Sequence, residues 1–143
     1  MNALLIHETE HCTMVQASGY RLPGYVIVEL KAPCTHVSRM PAEVAADFYR
    51  CVALAESLVQ DLIEPERIYL MKFGEMVPQV HVHVVPRTAE LQRAYLAEVE
   101  DKPPCNGARV VDWLWAQHAT LGHTDEAIAS FVDRARAHVA SAE

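Results

Sequence analysis

Residues 79–87 read QVHVHVVPR. In an extended strand successive side chains point to opposite faces, so Val80, Val82 and Val84 line one face while Gln79, His81 and His83 line the other. Three alternating β-branched valines suit a pleated, half-buried surface, and they predict a strand whose apolar side enters the core. Two residues along a strand span about 6.6 to 7 Å, which brings both imidazoles within reach of one small ligand. Pro86 lacks a backbone donor and is expected to end the ladder, leaving Arg87 at the strand exit.

Upstream, residues 67–73 (RIYLMKF) are apolar on both faces and predict a central strand, joined to the histidine strand as a hairpin by the short link 74–78. Residues 12–16 (CTMVQ) and 25–32 predict two further strands, the second alternating Val26, Val28 and Leu30 against Tyr25, Ile27 and Glu29. A loop containing Pro23 and Gly24 joins them as an antiparallel pair. Residues 3–6 (ALLI) fit a short strand or an ordered tail equally well. Pro41 opens a helix with Glu43 in its first turn. Val44, Phe48, Cys51, Ala55, Leu58 and Leu62 then fall at spacings of three and four, one continuous helical face ending at Glu64, before Pro65.

Beyond Arg87, Leu91, Ala94, Tyr95 and Val99 predict a helix, and residues 102–107 (KPPCNG) a break. Residues 110–121 carry Trp113 and Trp115. Thr124 caps a last helix with the face Ile128, Phe131, Val132, Ala135 and Val139. Strands, helix, strands, then helices define an α+β domain with a mainly antiparallel sheet. Residues 1–90 form its core and residues 91–143 a helical extension of the same domain.

At 143 residues and 51% hydrophobic composition the chain suits one domain with a substantial core. A formal charge of −7 argues against sequence-independent nucleic-acid binding, which needs clustered Lys and Arg. No stretch approaches the roughly 20 apolar residues of a membrane span, and no basic leader opens the chain. Cys12, Cys34, Cys51 and Cys105 show no CxxC pairing, so reduced thiols and a cytoplasmic location are expected. A small anionic ligand would need local positive charge, for which Lys72 and Arg87 are the candidates near the histidine strand.

A lone strand histidine is usually structural; two on one face, opposite a wholly apolar face, favour chemistry. An imidazole attacks phosphorus through its free nitrogen when an acceptor holds the other, and a second imidazole can hold a proton or contact a phosphate oxygen. The rival is a metal site, since His-x-His also supplies two zinc ligands. It needs a third, for which Cys34 or His36 would serve only if the loop before the long helix folded over the histidine face. Cys51 reads as core. The tryptophans read as packing or interface residues rather than a stacking platform for bases. Together with the last apolar helix face they exceed what a small sheet needs for cover, which predicts a symmetric homodimer.

The stretch QVHVHVV resembles the signature of the histidine-triad (HIT) family: His, apolar, His, apolar, His, apolar, apolar. The likeness extends to Pro23-Gly24 before an apolar strand, to His36 before a helix, and to the strand-turn-strand ending in the motif, and covers roughly residues 12–87. The resemblance implies a nucleotide hydrolase or transferase acting at an α-phosphate of a nucleoside phosphoramidate or dinucleoside polyphosphate. His81 matches the histidine that forms a nucleotidyl intermediate, held by the backbone carbonyl of residue 79, and His83 matches the one assisting phosphate and leaving group. Gln79 stands in the first histidine slot, a variant the family shows in some bacterial members, and Tyr25 stands where a histidine is common. Glu75, in the short GEMVP loop, would repel a polyphosphate chain. The resemblance further implies a homodimer with joined sheets, a small-molecule nucleotide partner, no nucleic acid or membrane, and no metal or cofactor. The catalytic candidates are His81, His83 and Gln79; the substrate-binding candidates are Gln16, Tyr25, Lys72, Glu75 and Arg87. A regulatory nucleotide binder with little turnover, and a metal enzyme using His81 and His83, are the alternatives.

Overall fold

A computed structural model describes residues 2–143. Five strands, β1 (Leu5–Glu8), β2 (Cys12–Gln16), β3 (Val26–Leu30), β4 (Arg67–Met71) and β5 (His81–Arg87), form one sheet in the order β1-β2-β3-β5-β4, every neighbouring pair antiparallel. Helix α1 (Ala42–Ile63) crosses over between β3 and β4, and α2 (Ala89–Glu98), α3 (Gly107–Gln117) and α4 (Asp125–Ala142) follow the last strand. The α+β architecture with one long helix on the sheet and a helical C-terminal part is the one the sequence pattern specifies.

The strand periodicity sorts the core into two layers. Cys12, Met14, Val26, Val28, Leu30, Val80 and Val84 pack on one face against Val44, Phe48, Cys51, Ala55, Leu58 and Val59 of α1 and against Phe131, Val132, Ala135 and Val139 of α4. On the other face Tyr25 and Val85, with Ile27, Tyr69 and Met71, meet Leu91 and Tyr95 of α2 and Val110, Trp113 and Leu114 of α3. The C-terminal helices thus divide between the two sides of the sheet. Arg136 of α4 donates from Nε to the Leu5 carbonyl at 2.8 Å, occupying part of the β1 edge.

Several expectations change. Residues 67–73 do not make a central strand: β4 is an edge, and Leu70, 48% exposed, shows that one apolar stripe faces outward. The ladder of β5 opens at His81 rather than Gln79 and runs through Pro86, which lies opposite Ile68. The phase explains the tolerance. Val80 accepts from Leu30 N, so even-numbered residues of β5 direct their backbone groups toward β3, and β3 has already ended at Val26 opposite Val84. The donor Pro86 lacks would have met no strand. Pro41 flanks α1 rather than opening it, with φ −57° and ψ 152°, and Glu64 closes that helix in the left-handed region at φ 54°. Residues 5–8 of the ambiguous N-terminus pair with β2 as a strand. Much of the apolar surface that predicted a dimer is internal: Trp113 is 7% exposed and Phe131, Val132, Ala135 and Val139 of α4 are buried against α1 and the sheet, while Trp115 and Ile128 stay half-buried.

Candidate active site

The sheet's alternation places His81 and His83 on the face that carries α3, beside a cavity of about 510 Å³ lined also by Tyr20, Phe73, Glu75, Met76, Val77 and Trp115. The two imidazole centroids lie 5.1 Å apart. His81 Nδ1 is 2.9 Å from the Gln79 carbonyl oxygen. A carbonyl only accepts, so Nδ1 carries the proton and the neutral ring keeps its lone pair on Nε2. This is the atom a nucleophile needs.

His83 is held differently. Its Nδ1 is 2.7 Å from the Tyr25 hydroxyl, and that hydroxyl accepts from Trp115 Nε1 at 3.0 Å. Burial first, and then the neighbouring His81, lower the His83 pKa below the ordinary histidine value. Burial raises the Tyr25 phenol well above its ordinary range, so it remains protonated. Tyr20 stacks on Tyr25 at 5.0 Å, and Phe73 meets the Trp115 ring edge-on at 5.5 Å.

The candidates from sequence divide sharply. His81, His83 and Glu75 line the cavity, and Tyr25 adjoins it through His83. Gln79 contributes its backbone carbonyl, while its side-chain amide donates to the Leu30 carbonyl on β3. Gln16 does not line the cavity. It is 1% exposed, accepts from Gly24 N at 3.0 Å and donates to the Leu22 carbonyl at 2.9 Å. Its side chain clamps the turn that delivers Tyr25. Gly24 takes φ +89° there, and a Cβ on it would stand 2.7 Å from Ile63 Cγ1. Lys72 lies by Val37, Met40 and Tyr49 on the α1 side of the sheet, and its Nζ comes within 3.9 Å of the point a Gly74 Cβ would occupy, at the rim of the cavity that Gly74 helps to line. Arg87, four residues past His83, pairs with Glu66 at 3.2 Å and with Gln92. Neither cation is among the residues lining the cavity, although the Lys72 ammonium stands beside Gly74 at its rim, and Glu75 is the one carboxylate on its wall among the described residues.

The metal reading lacks its ligands. Cys34 packs against the α1-side core, on the opposite face from His81, and no group of three or more His, Cys, Asp or Glu side chains among the described residues is placed to hold an ion. Sequence reasoning missed Trp115, Tyr20 and Phe73 as site residues. The aromatic content was visible, but nothing local links residue 115 to the motif. The β3–β5 register, which the sequence did not reveal, sets Glu29 directly opposite His81.

An α+β sheet carrying a carbonyl-held histidine on an open face defines a histidine-triad type of site. The chain belongs to that family: the HIT domain model matches residues 1–90. Its fold is similar to that of a Hit-like protein involved in cell-cycle regulation from Bartonella henselae, at 15% identity over 96% of this chain and 88% of that one, with a TM-score of 0.60. A hypothetical histidine triad nucleotide-binding protein from Sulfolobus tokodaii is 13% identical over 92% of this chain and 84% of its own, with a TM-score of 0.55. A HIT family member from Bacillus subtilis is 20% identical over 62% of this chain and 67% of its own, with a TM-score of 0.56. At these identities the likeness concerns the fold. No curated protein matches the sequence. No helix among the described residues is long and apolar enough to cross a membrane.

Proposed function

We propose that this protein is a nucleotidyl hydrolase or transferase acting at an α-phosphate, with His81 as nucleophile. The observation that carries the reading is the 2.9 Å bond from His81 Nδ1 to the Gln79 carbonyl, which commits the Nε2 lone pair beside the cavity. Nε2 attacks phosphorus, the bond from phosphorus to the leaving group breaks, and that group departs with the electron pair and a proton taken from solvent, as the free amine in the case of a phosphoramidate. The carbonyl stabilises the positive charge that develops on the ring. Water or another acceptor then attacks the same phosphorus, releases its proton to solvent, cleaves the P–N bond and returns the lone pair to Nε2. His83 contacts a phosphate oxygen, and the Gln79 amide steadies the start of the motif against β3.

The charge around the cavity favours one substrate type. With Glu75 on the wall, Arg87 paired with Glu66 and Lys72 alone at the Gly74 rim, a polyphosphate chain meets repulsion and at most one counter-charge. A nucleoside phosphoramidate, with a single phosphoryl charge, fits better than a dinucleoside polyphosphate. The test is hydrolysis of adenosine phosphoramidate by the purified protein. His81→Ala should lower turnover at least about 10³-fold, on the order of 4 kcal/mol, and abolish the covalent intermediate. His83→Ala should cost about 10² to 10³ and Gln79→Ala much less. Binding of adenosine monophosphate without turnover would replace the enzyme reading by that of a regulatory binder.

The same reading places the protein in the cytoplasm, in keeping with four free cysteines, with residues 91–143 an integral part of the domain. It includes a homodimer joined along the outer edge of β4, where Leu70 is exposed, instead of through the tryptophans. Light scattering at micromolar concentration should give twice the 16.0 kDa chain mass; a single monomeric species would refute the dimer.

A further inference from the structure

We propose that Trp115 and Tyr25 are positioning residues that fix His83 as its Nε2–H tautomer, so that helix α3, outside the HIT-matched segment, completes the active site. The inference rests on the reading of His81 and His83 as the reacting pair, and adds what sets the second ring's proton. Indole Nε1 is only a donor, so the 3.0 Å contact makes Tyr25 Oη the acceptor. The phenol's own hydrogen must then go elsewhere. Tyr25 is fully buried, and among the described residues the one acceptor within hydrogen-bond reach of its hydroxyl is His83 Nδ1, at 2.7 Å. A proton on Nδ1 instead would strand the buried O–H without an acceptor, a penalty that disfavours that tautomer about 10-fold or more.

The consequence is an asymmetric pair. His81 has its proton on Nδ1 and its lone pair on Nε2; His83 has its lone pair on Nδ1 and its proton on Nε2. The two rings, 5.1 Å apart beside one cavity, offer it one nucleophilic lone pair and one N–H donor. Attack on phosphorus and contact with its oxygen require those two different atoms. Tyr25 suits the task because burial keeps its phenol protonated, where a histidine would change charge near neutral pH. Trp115 closes the chain of donors from 90 residues away in sequence.

The tautomer is read directly by two-bond ¹H–¹⁵N correlation spectra of the histidine rings, which need no substrate. In the unmodified protein near pH 7.5, His83 should show a pyridine-type Nδ1 and a pyrrole-type Nε2. Trp115→Phe keeps a ring against Phe73 but removes the donor and opens Tyr25 Oη to water from the adjoining cavity, which can take the phenol's hydrogen and free Oη to accept from His83 Nδ1–H. Tyr25→Phe removes the acceptor and donor together. Each variant should turn the His83 spectrum into a tautomer mixture, and Trp115→Phe should lower kcat about 10-fold with KM within about twofold. A pyrrole-type Nδ1 on His83 in the unmodified protein would overturn the proposal without any variant. So would a folded Trp115→Phe protein whose His83 spectrum and kcat are unchanged. If the tautomer is as stated but His81→Ala keeps full activity, the nucleotidyl reading fails and the positioning role of Trp115 stands.

Discussion

Gln16→Leu separates a structural clamp from a substrate contact. The side chain is fully inside the protein, where its Oε1 accepts from Gly24 N and its Nε2 donates to the Leu22 carbonyl. Leucine preserves the approximate volume and abolishes both bonds. The losses are unequal. The Leu22 carbonyl retains the Tyr25 N–H at 3.0 Å, so it forfeits one bond of about 0.5 to 1.5 kcal/mol. The Gly24 N–H is buried, and without Oε1 it has no acceptor, a desolvation cost of about 1 to 3 kcal/mol. The sum, about 2 to 4 kcal/mol, is a large fraction of the roughly 5 to 15 kcal/mol that holds a domain of this kind. In urea, with a slope of about 1 to 3 kcal/mol per molar, the midpoint should drop by about 0.7 to 4 M. Because the turn between Gln16 and Gly24 delivers Tyr25, any folded fraction should also show a disturbed His83 ring. An unchanged urea midpoint together with a raised KM would show that Gln16 touches substrate, and the clamp argument would be wrong.

The His83 pKa lies below the ordinary value, chiefly through burial, so the unfolded chain binds the proton more readily than the folded one. The stability contributed by the neutral buried ring is therefore full above about pH 6.5 and is lost as pH falls through the folded pKa. His83→Gln should flatten the fall in urea midpoint below about pH 6.5; an unaltered slope would contradict the burial argument. Cys12 is pushed up to about 12 and Cys51 is raised, both mainly by burial, while Cys34 and Cys105 are partly exposed. Ellman's reagent should titrate no more than Cys34 and Cys105 in the native protein, and every thiol in denaturant. Prompt labelling of Cys12 without unfolding would show that the α1-side core opens.

What the sequence by itself determined follows from backbone periodicity. Side chains two apart share a strand face, so the apolar valines and the histidines of β5 separate wherever that strand is placed. Side chains three and four apart share a helix face, so the buried stripe of α1 was legible from Val44 to Leu58. The carbonyl that holds His81 lies two residues back in the same segment, which made the tautomer of that ring a local property. Everything that depends on which elements become neighbours was decided only by the tertiary structure. An edge strand and a central one can carry the same composition, and β4 is an edge because β5 inserts between it and β3. Lys72 and Arg87 are close to the histidines in sequence yet neither lines the cavity: Lys72 leaves the end of β4 toward the α1 side with its ammonium near Gly74, and Arg87 lies four residues past His83, paired with Glu66. Trp115 is remote in sequence and yet part of the wall, because α3 packs on the histidine face. Side-chain periodicity is fixed within a few residues of backbone, whereas the Trp115–Tyr25–His83 chain spans 90 and then 58 residues and exists only once the sheet, α2 and α3 have closed around one core.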